Sequence, residues 1–288
     1  MRLFVTGGTG FTGSRVIPLL LKNGYQVRCL HRQTSDRTPL PQPEIEWVEG
    51  DLSDSPRLAA SMQGSDALVN IASLGFGHAD SIIQATKEAG IRRAIFISTT
   101  AIFTTLNGKS KEIRLAAERA IQTSGLDYTI LRPTMIYGSP RDRNMWRLIQ
   151  LMRVSPIVPI FGDGTCLQQP IHVDDVAQAV LSCVSNDQTI GKSYNIAGKY
   201  PLTYNDVIDT LSLKLKRHIW KVHLPLKPMV SLAERFERLH VPFPVKAEQI
   251  LRLNENKDFK YEDAQRDFGF NPLPFDTGIT LELKLERR

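Results

Sequence analysis

Three cysteines, Cys29, Cys166 and Cys183, are scattered through 288 residues, and none falls at metal-ligand spacing. Their odd number and their separation argue against a disulfide framework and a metal centre, and leave reduced core thiols as the reading. No apolar run approaches the roughly 18 residues that span a bilayer. The opening MRLFV gives way to Thr6 and two glycines, too short a stretch for a secretory h-region, so a cytoplasmic protein without a transmembrane segment is expected. Low-complexity segments and fixed-period repeats are also missing. The net charge of +6 comes from 36 basic and 30 acidic residues, interleaved without a single basic run. That pattern fits a solvated surface and argues against a nucleic-acid partner. One further absence matters later: no tyrosine occurs between Tyr25 and Tyr128.

What is present is ordinary for a soluble globular chain, with 42% hydrophobic and 23% charged residues. MRLFV has no polar face, as expected of a strand buried on both sides of a parallel sheet. TGGTGFTG (6–13) follows, and then SRVIPLLLKNG, in which Val16, Leu19 and Leu20 recur at helical spacing before Gly24. Strand, glycine turn and helix in this order form a phosphate cradle. Gly7 allows the turn, Gly10 admits a pyrophosphate to the backbone amides, and Gly13 lets helix and strand approach. The next strand, YQVRCLHR (25–32), ends in His31 and Arg32, with no carboxylate before Asp36. An acid there would bind a ribose 2′-hydroxyl, whereas a guanidinium suits a 2′-phosphate, so NADP is favoured and NAD is the alternative.

Strands are expected at 45–51, 66–73, 92–99, 126–133 and 194–198, with helices over SPRLAASM, HADSIIQATKEAG and 109–124 between them. Alternation of this kind predicts an α/β fold: a doubly wound, Rossmann-type parallel sheet with a small, mainly helical C-terminal lobe. The expected division is residues 1–135 plus 172–198 for the cofactor domain, and 136–171 plus 199–288 for a substrate or partner lobe. In that lobe PLTYNDVIDTLSLKL reads as a helix capped by Thr203, followed by helical stretches at SLAERFERL and VKAEQILRL. VHLPLKPMV and VPFPV are proline-punctuated and cannot be continuous helix. Leu226, Met229 and Val230 with Lys221 and Lys227 suggest either core packing or an interfacial patch.

TGGTGFTG, GDL (50–52), FISTTAIF (96–103), LRPTMIYG (131–138) and FGDGTCLQQPIHVDDVAQAV (161–180) occur in this order. In this the chain resembles the short-chain dehydrogenase/reductase superfamily, in the extended or atypical branch that contains sugar-nucleotide epimerases and dehydratases. The resemblance covers residues 1–200. It implies that Gly7, Gly10, Phe11, Thr12 and Gly13 hold a pyrophosphate, that Asp51 accepts from the adenine amino group with the Leu52 backbone beside it, and that Ile71, Ala72 and Ser73 line the cofactor's ribose and linker. It also implies that Thr99 hydrogen-bonds the reacting oxygen and that Pro133 lies against nicotinamide.

Two departures stand against that likeness. The superfamily's Tyr-x-x-x-Lys pair, anchored on Glu118, falls on Ser110 and Arg114. In the pair the ammonium lowers the phenol's pKa and i, i+4 spacing sets both on one helix face. Arg114 keeps a charge for the nicotinamide ribose; Ser110 is no acid. Gln168 stands where nucleotide-sugar relatives place an arginine against the diphosphate, which lowers the expectation of such a substrate. His172, beside Asp174 and Asp175, reads as helix-entry structure rather than a catalytic group, and Tyr137 as packing at the floor of the cleft, with a substitute proton donor as its alternative. Two functions remain open. One is NADP-linked chemistry at a carbonyl or carbinol carbon of a small, sugar-derived or other substrate, with the proton from water or a C-terminal side chain. The other is a cofactor-holding protein with little turnover, serving as redox sensor, assembly factor or complex subunit, as for tyrosine-lacking NmrA-like regulators and a complex I accessory subunit. A homodimer or a larger complex is compatible with both.

Overall fold

In a computed structural model covering residues 1–106, 108–142, 144–241 and 245–285, the chain is organised around seven parallel strands. The first six are β1 (Arg2–Thr6), β2 (Gln26–His31), β3 (Ile45–Glu49), β4 (Ala67–Asn70), β5 (Arg93–Ile97) and β6 (Asp127–Pro133). The seventh, Lys192–Ile196, pairs with β6, and the order across the sheet is seventh, β6, β5, β4, β1, β2, β3. Every pairing is parallel. The sequence order reverses between β1 and β4, and in such sheets a ligand crevice opens beyond the strand ends at that point.

The apolar runs read as two-sided strands because their alternate residues serve different layers. Leu3 and Val5 face one core, which also holds Val16, Ile17 and Leu20 of α1 (Gly13–Lys22). Phe4 faces the other, shared with α2 (Ser55–Met62), α3 (Ala79–Glu88) and α4 (Lys109–Gln122). The helix Val173–Val184 packs beside α1 on the first side.

A third apolar cluster gathers Tyr137, Met145, Ile149, Val158, Ile160, Val207, Ile208, Phe275 and Ile279 outside the sheet. It is built from the helices Met145–Val154, Tyr204–Leu215 and Phe275–Leu285 and from a parallel strand pair, Ile157–Phe161 with Trp220–Leu224. Thr203 caps the middle helix in a reciprocal capping box with Asp206. The proline-punctuated VHLPLKPMV is part strand and part helix. Pro225 precedes the helix Leu226–Arg238, and Pro228 sits in its first turn, where no amide donor is needed. VPFPV falls largely at residues 242–244, outside the described residues. Leu226, Met229 and Val230 pack against Ala233, Ala247 and Ile250 between that helix and the next, Ala247–Leu253. No helix among the described residues is long and apolar enough to cross a membrane.

Candidate functional site

At the reversal point the ends of β1 and β4 are tied by side chains: the Thr6 hydroxyl donates to Asn70 Oδ1 at 2.6 Å, and Asn70 Nδ2 donates to the Ala72 carbonyl at 3.0 Å. Gly7 then turns at φ +69°, where a Cβ would come within 2.5 Å of the Ala72 nitrogen. A Cβ on Gly13 would lie 2.4 Å from the carbonyl oxygens of Gly7 and Gly8. Gly10 is different: its nearest neighbour is the Gly7 oxygen at 3.2 Å, and the space beyond is open. Among the described residues, the amides of Phe11, Thr12 and Gly13 meet no acceptor, and the Thr12 hydroxyl caps nothing. Free N–H groups and the positive end of a helix dipole therefore converge on an open concavity that suits a diphosphate. The Arg141 guanidinium holds the turn from above, donating to the Thr9 carbonyl at 2.9 Å.

Outward along the sheet, Arg32 stands exposed just beyond β2, its amide donating to Ser35 Oγ at 3.1 Å. Asp51 is exposed beyond β3. Its Oδ1 accepts from the hydroxyl and amide of Ser53 at 2.5 and 2.9 Å, and these bonds, with the nearby charges of His78 and Arg32, hold its pKa down. The Leu52 carbonyl accepts from Ser81. Ile71 continues the ladder by donating to the Thr6 carbonyl, and Ser73 caps the turn Leu74–Phe76 through the Gly75 amide.

In the other direction a cleft of about 1140 Å³ runs from Gly10 and Phe11 past Thr99 and Thr134 to Arg252, Glu255 and Lys257. Thr99 Oγ accepts from the Ala101 amide at 3.2 Å, which leaves its own proton free to donate. Pro133 is buried at the end of β6, and its carbonyl accepts from the Thr100 hydroxyl at 3.4 Å. The opposite wall is the C-terminal segment 252–257, which begins in the last turn of the helix Ala247–Leu253. Glu255 accepts from the Thr104 hydroxyl and from the Thr105 hydroxyl and amide at 2.5–2.7 Å; burial opposes ionisation, but these bonds prevail and hold its pKa down. Lys257 Nζ donates to Gln168 Oε1 at 2.9 Å and to the Arg252 carbonyl. Burial lowers its pKa, and the charge of Glu255 opposes that only in part. Gln168 is itself buried, so it supports Lys257 rather than facing a ligand.

The helix α4 occupies the expected place, but Ser110 and Arg114 are absent from the cleft wall. Arg114 Nη1 donates to Ser110 Oγ at 3.0 Å, and its guanidinium lies against Gly75, where a Cβ would be 3.0 Å away. Burial, and then the charge of Arg252, weaken its hold on the proton. Arg252, paired with Glu248 at 2.7 Å, reaches over the start of α4 beside Gly108 and takes the wall position. Lys111 bends back to donate to the Thr104 carbonyl at 2.6 Å. Glu118 is buried in a paired contact with Arg132 at 2.6–3.1 Å that locks α4 to β6.

Two candidates are structural. His172 Nδ1 accepts from the Asp174 amide as a helix cap, while burial lowers the ring's pKa. Tyr137 is fully buried against His172 and Phe275, donates to the Phe275 carbonyl at 3.3 Å, and has its pKa raised by burial. Among the described residues no group of three or more His, Cys, Asp or Glu side chains is placed to hold a metal. The residues that sequence reasoning missed are Arg141, Arg252, Glu255 and Lys257. Contacts with residues distant in the chain set them apart, Arg141 with Thr9, Glu255 with Thr104 and Thr105, Lys257 with Gln168 and Arg252 with Gly108, and no spacing rule would have found them.

Residues 7–187 match the NAD(P)H-binding family. Over 279 residues the chain is 25% identical to the mitochondrial NADH dehydrogenase (ubiquinone) 1 alpha subcomplex subunit 9 of Arabidopsis thaliana, covering 87% of this chain and 67% of that one. It is 24% identical over 220 residues to the photosystem II assembly factor Ycf39 of Trieres chinensis, covering 73% and 67%. In three dimensions it resembles the UDP-glucose 4-epimerase of Thermotoga maritima, solved with UDP-glucose, at a TM-score of 0.79 and 19% identity, covering 100% and 99% of the two chains.

Proposed function

The chain belongs to the NAD(P)H-binding family, and on that premise we propose that it is an NADP(H)-dependent oxidoreductase acting at a carbonyl or carbinol carbon of a small polar substrate. The observation that carries this reading is the continuity of the cleft from the glycine turn, past Thr99, to Lys257. The open space at Gly10 and the free amides of Phe11, Thr12 and Gly13 fit a dinucleotide diphosphate. Asp51, Ile71, Ala72 and Ser73 would receive the adenosine half, and Pro133 would back the nicotinamide. Arg32, exposed at the end of β2 where no carboxylate stands, favours a 2′-phosphate.

When bound, the nicotinamide supplies or accepts the hydride. The chain must then manage the oxygen. Thr99 donates its free hydroxyl proton to that oxygen and orients it. In the reductive direction Lys257, with one N–H left after Gln168 and Arg252, gives up the proton and regains it from water. A half-buried ammonium with a lowered pKa suits that task better than an exposed lysine would.

The test is single-turnover absorbance of bound NADPH against a panel of ketones, aldehydes and nucleotide sugars. Oxidation above the buffer rate, at least tenfold slower in Lys257→Met with NADPH affinity unchanged, supports the assignment. Arg32→Ala is expected to weaken NADPH about tenfold and NADH little; equal losses, read by fluorescence titration, would refute the 2′-phosphate role.

One observation favours a second reading, a cofactor-holding subunit or assembly factor without turnover. Ser110 and Arg114 satisfy each other away from the cleft, and the similar proteins include a respiratory-complex subunit and an assembly factor. Tight NADPH binding with no oxidation by any of the panel would select it.

A further inference from the structure

The positive charge of this chain is concentrated at one edge of the C-terminal lobe. Residues 145–162 and 210–233 hold seven lysines and arginines and no aspartate or glutamate. These 42 residues carry +7 against +6 for the whole chain, so the other 246 sum to −1. The interleaving of acids and bases along the sequence fails in these two windows, and the fold brings them together. Strand Ile157–Phe161, from the first, pairs in parallel with Trp220–Leu224, from the second.

The pair has two unlike faces. Val158 and Ile160 point into the core beneath, and Lys221, opposite Val158, reaches Asp209 on the helix below. On the outer face Ile157 stands opposite Trp220, and Val222 opposite Pro159. Trp220 is 63% exposed, Ile157 50% and Val222 42%. The helix that leads into this pair, Met145–Val154, continues the surface with Arg147, Leu151 and Val154 at positions i, i+4 and i+7. Leu151 is exposed, and Val154 is 81% exposed. At the far end Phe161 is covered by the helices Leu226–Arg238 and Ala247–Leu253, and Leu224 beside it is half-buried; Ile157, Pro159, Trp220 and Val222 are exposed.

Basic side chains rim this apolar strip. Lys214 is offset by Asp276 and Lys221 by Asp209. Arg147, Lys216 and Lys227 are exposed and have no carboxylate within ion-pair distance among the described residues. The Arg217 guanidinium reaches the Arg153 carbonyl, and His218 meets the Trp220 ring edge-on at 4.9 Å, so rim and strip are contiguous.

We propose that this edge docks on an anionic membrane surface, with Trp220, Ile157, Val154 and Val222 entering the headgroup boundary and the surrounding bases meeting lipid phosphates. An exposed tryptophan among aliphatic side chains, flanked by long cationic ones, is the composition that suits a water–lipid interface. A nucleic acid would use the bases but not the aliphatic strip. A second copy joined by a two-fold axis through this face would set like charges against each other. The inference does not depend on turnover in the cleft.

The test is vesicle co-sedimentation of the full chain, with pure phosphatidylcholine against phosphatidylcholine containing one-third phosphatidylglycerol, at low and at 0.5 M salt. Binding to the anionic vesicles only, lost at high salt, is expected. It should come with a blue shift of tryptophan emission that is absent in Trp220→Phe. Arg147→Glu with Lys216→Glu, which breaks no side-chain ion pair among the described residues, should weaken binding about tenfold or more while NADPH affinity stays at wild type. Absence of vesicle binding at low salt overturns the proposal. So does binding that survives the double reversal, stronger retention by single-stranded nucleic acid, or a dimer in sedimentation that Trp220→Ala dissolves.

Discussion

Gly10 and Gly13 in the first turn have different surroundings, although they look alike in the sequence. At Gly13 a Cβ would collide with backbone on two sides, so Gly13→Ala is expected to lower both the unfolding midpoint and NADPH affinity. At Gly10 it would enter the open space proposed for the diphosphate. Gly10→Ala should therefore leave thermal unfolding near wild type while weakening NADPH about tenfold or more. Differential scanning fluorimetry beside a fluorescence titration separates the two effects. These positions were legible because glycine answers to backbone sterics that travel with the local sequence. Lys257 was not, because its distinction is a half-buried ammonium leaning on Gln168, 89 residues away in the chain. At Ser110 the sequence shows only the departure from Tyr-x-x-x-Lys. Its actual engagement with Arg114, and the arrival of Arg252 above it, were not legible there.

Strands with continuous apolar runs were found in the sequence because both of their faces are buried, and α1 to α4 because a single face is. The strand pair Ile157–Phe161 and Trp220–Leu224 was missed: Pro159 interrupts the first, and one face of the second is bare, so neither shows the expected period. The helices Met145–Val154 and Phe275–Leu285 also went unread. Where an element sits depends on fewer contacts than its existence does. For α4 the decisive one is Glu118 with Arg132, whose side chains are 5% and 16% exposed. Glu118→Ala leaves a guanidinium buried without its counter-charge and should destabilise the fold by about 3 kcal/mol in urea unfolding. A loss below 1 kcal/mol would show that the sheet holds α4 without that pair.

Across the whole molecule, the last helix carries a cost that depends on pH. Glu282 is fully buried, and burial, with Asp142 beside it, pushes its pKa up to about 9 from an ordinary 4.5. Neither of its oxygens meets a conventional donor, so the two carboxyls can make contact only while one holds a proton. Below pH 4.5 the folded and unfolded chains both keep Glu282 protonated. As pH rises from there towards 9 only the unfolded form releases the proton, and stability falls through that window. Glu282→Gln needs no proton to donate to Asp142. It should be more stable than wild type by roughly 2 kcal/mol at pH 8, with the gap closing towards pH 5; a gap independent of pH would contradict this account. The overall architecture was readable because strand–helix alternation leaves few topologies, whereas charge segregation at the lobe edge emerged only when two distant windows met. There is also an evolutionary consequence in the way the cleft is assembled. Its glycine turn lies before residue 14, and its ionic wall comes from 252–257. A single recombination between those stretches would join a foreign ionic wall to an inherited glycine turn, and the incoming tail would also have to supply Phe275 and Ile279 to the core of the lobe.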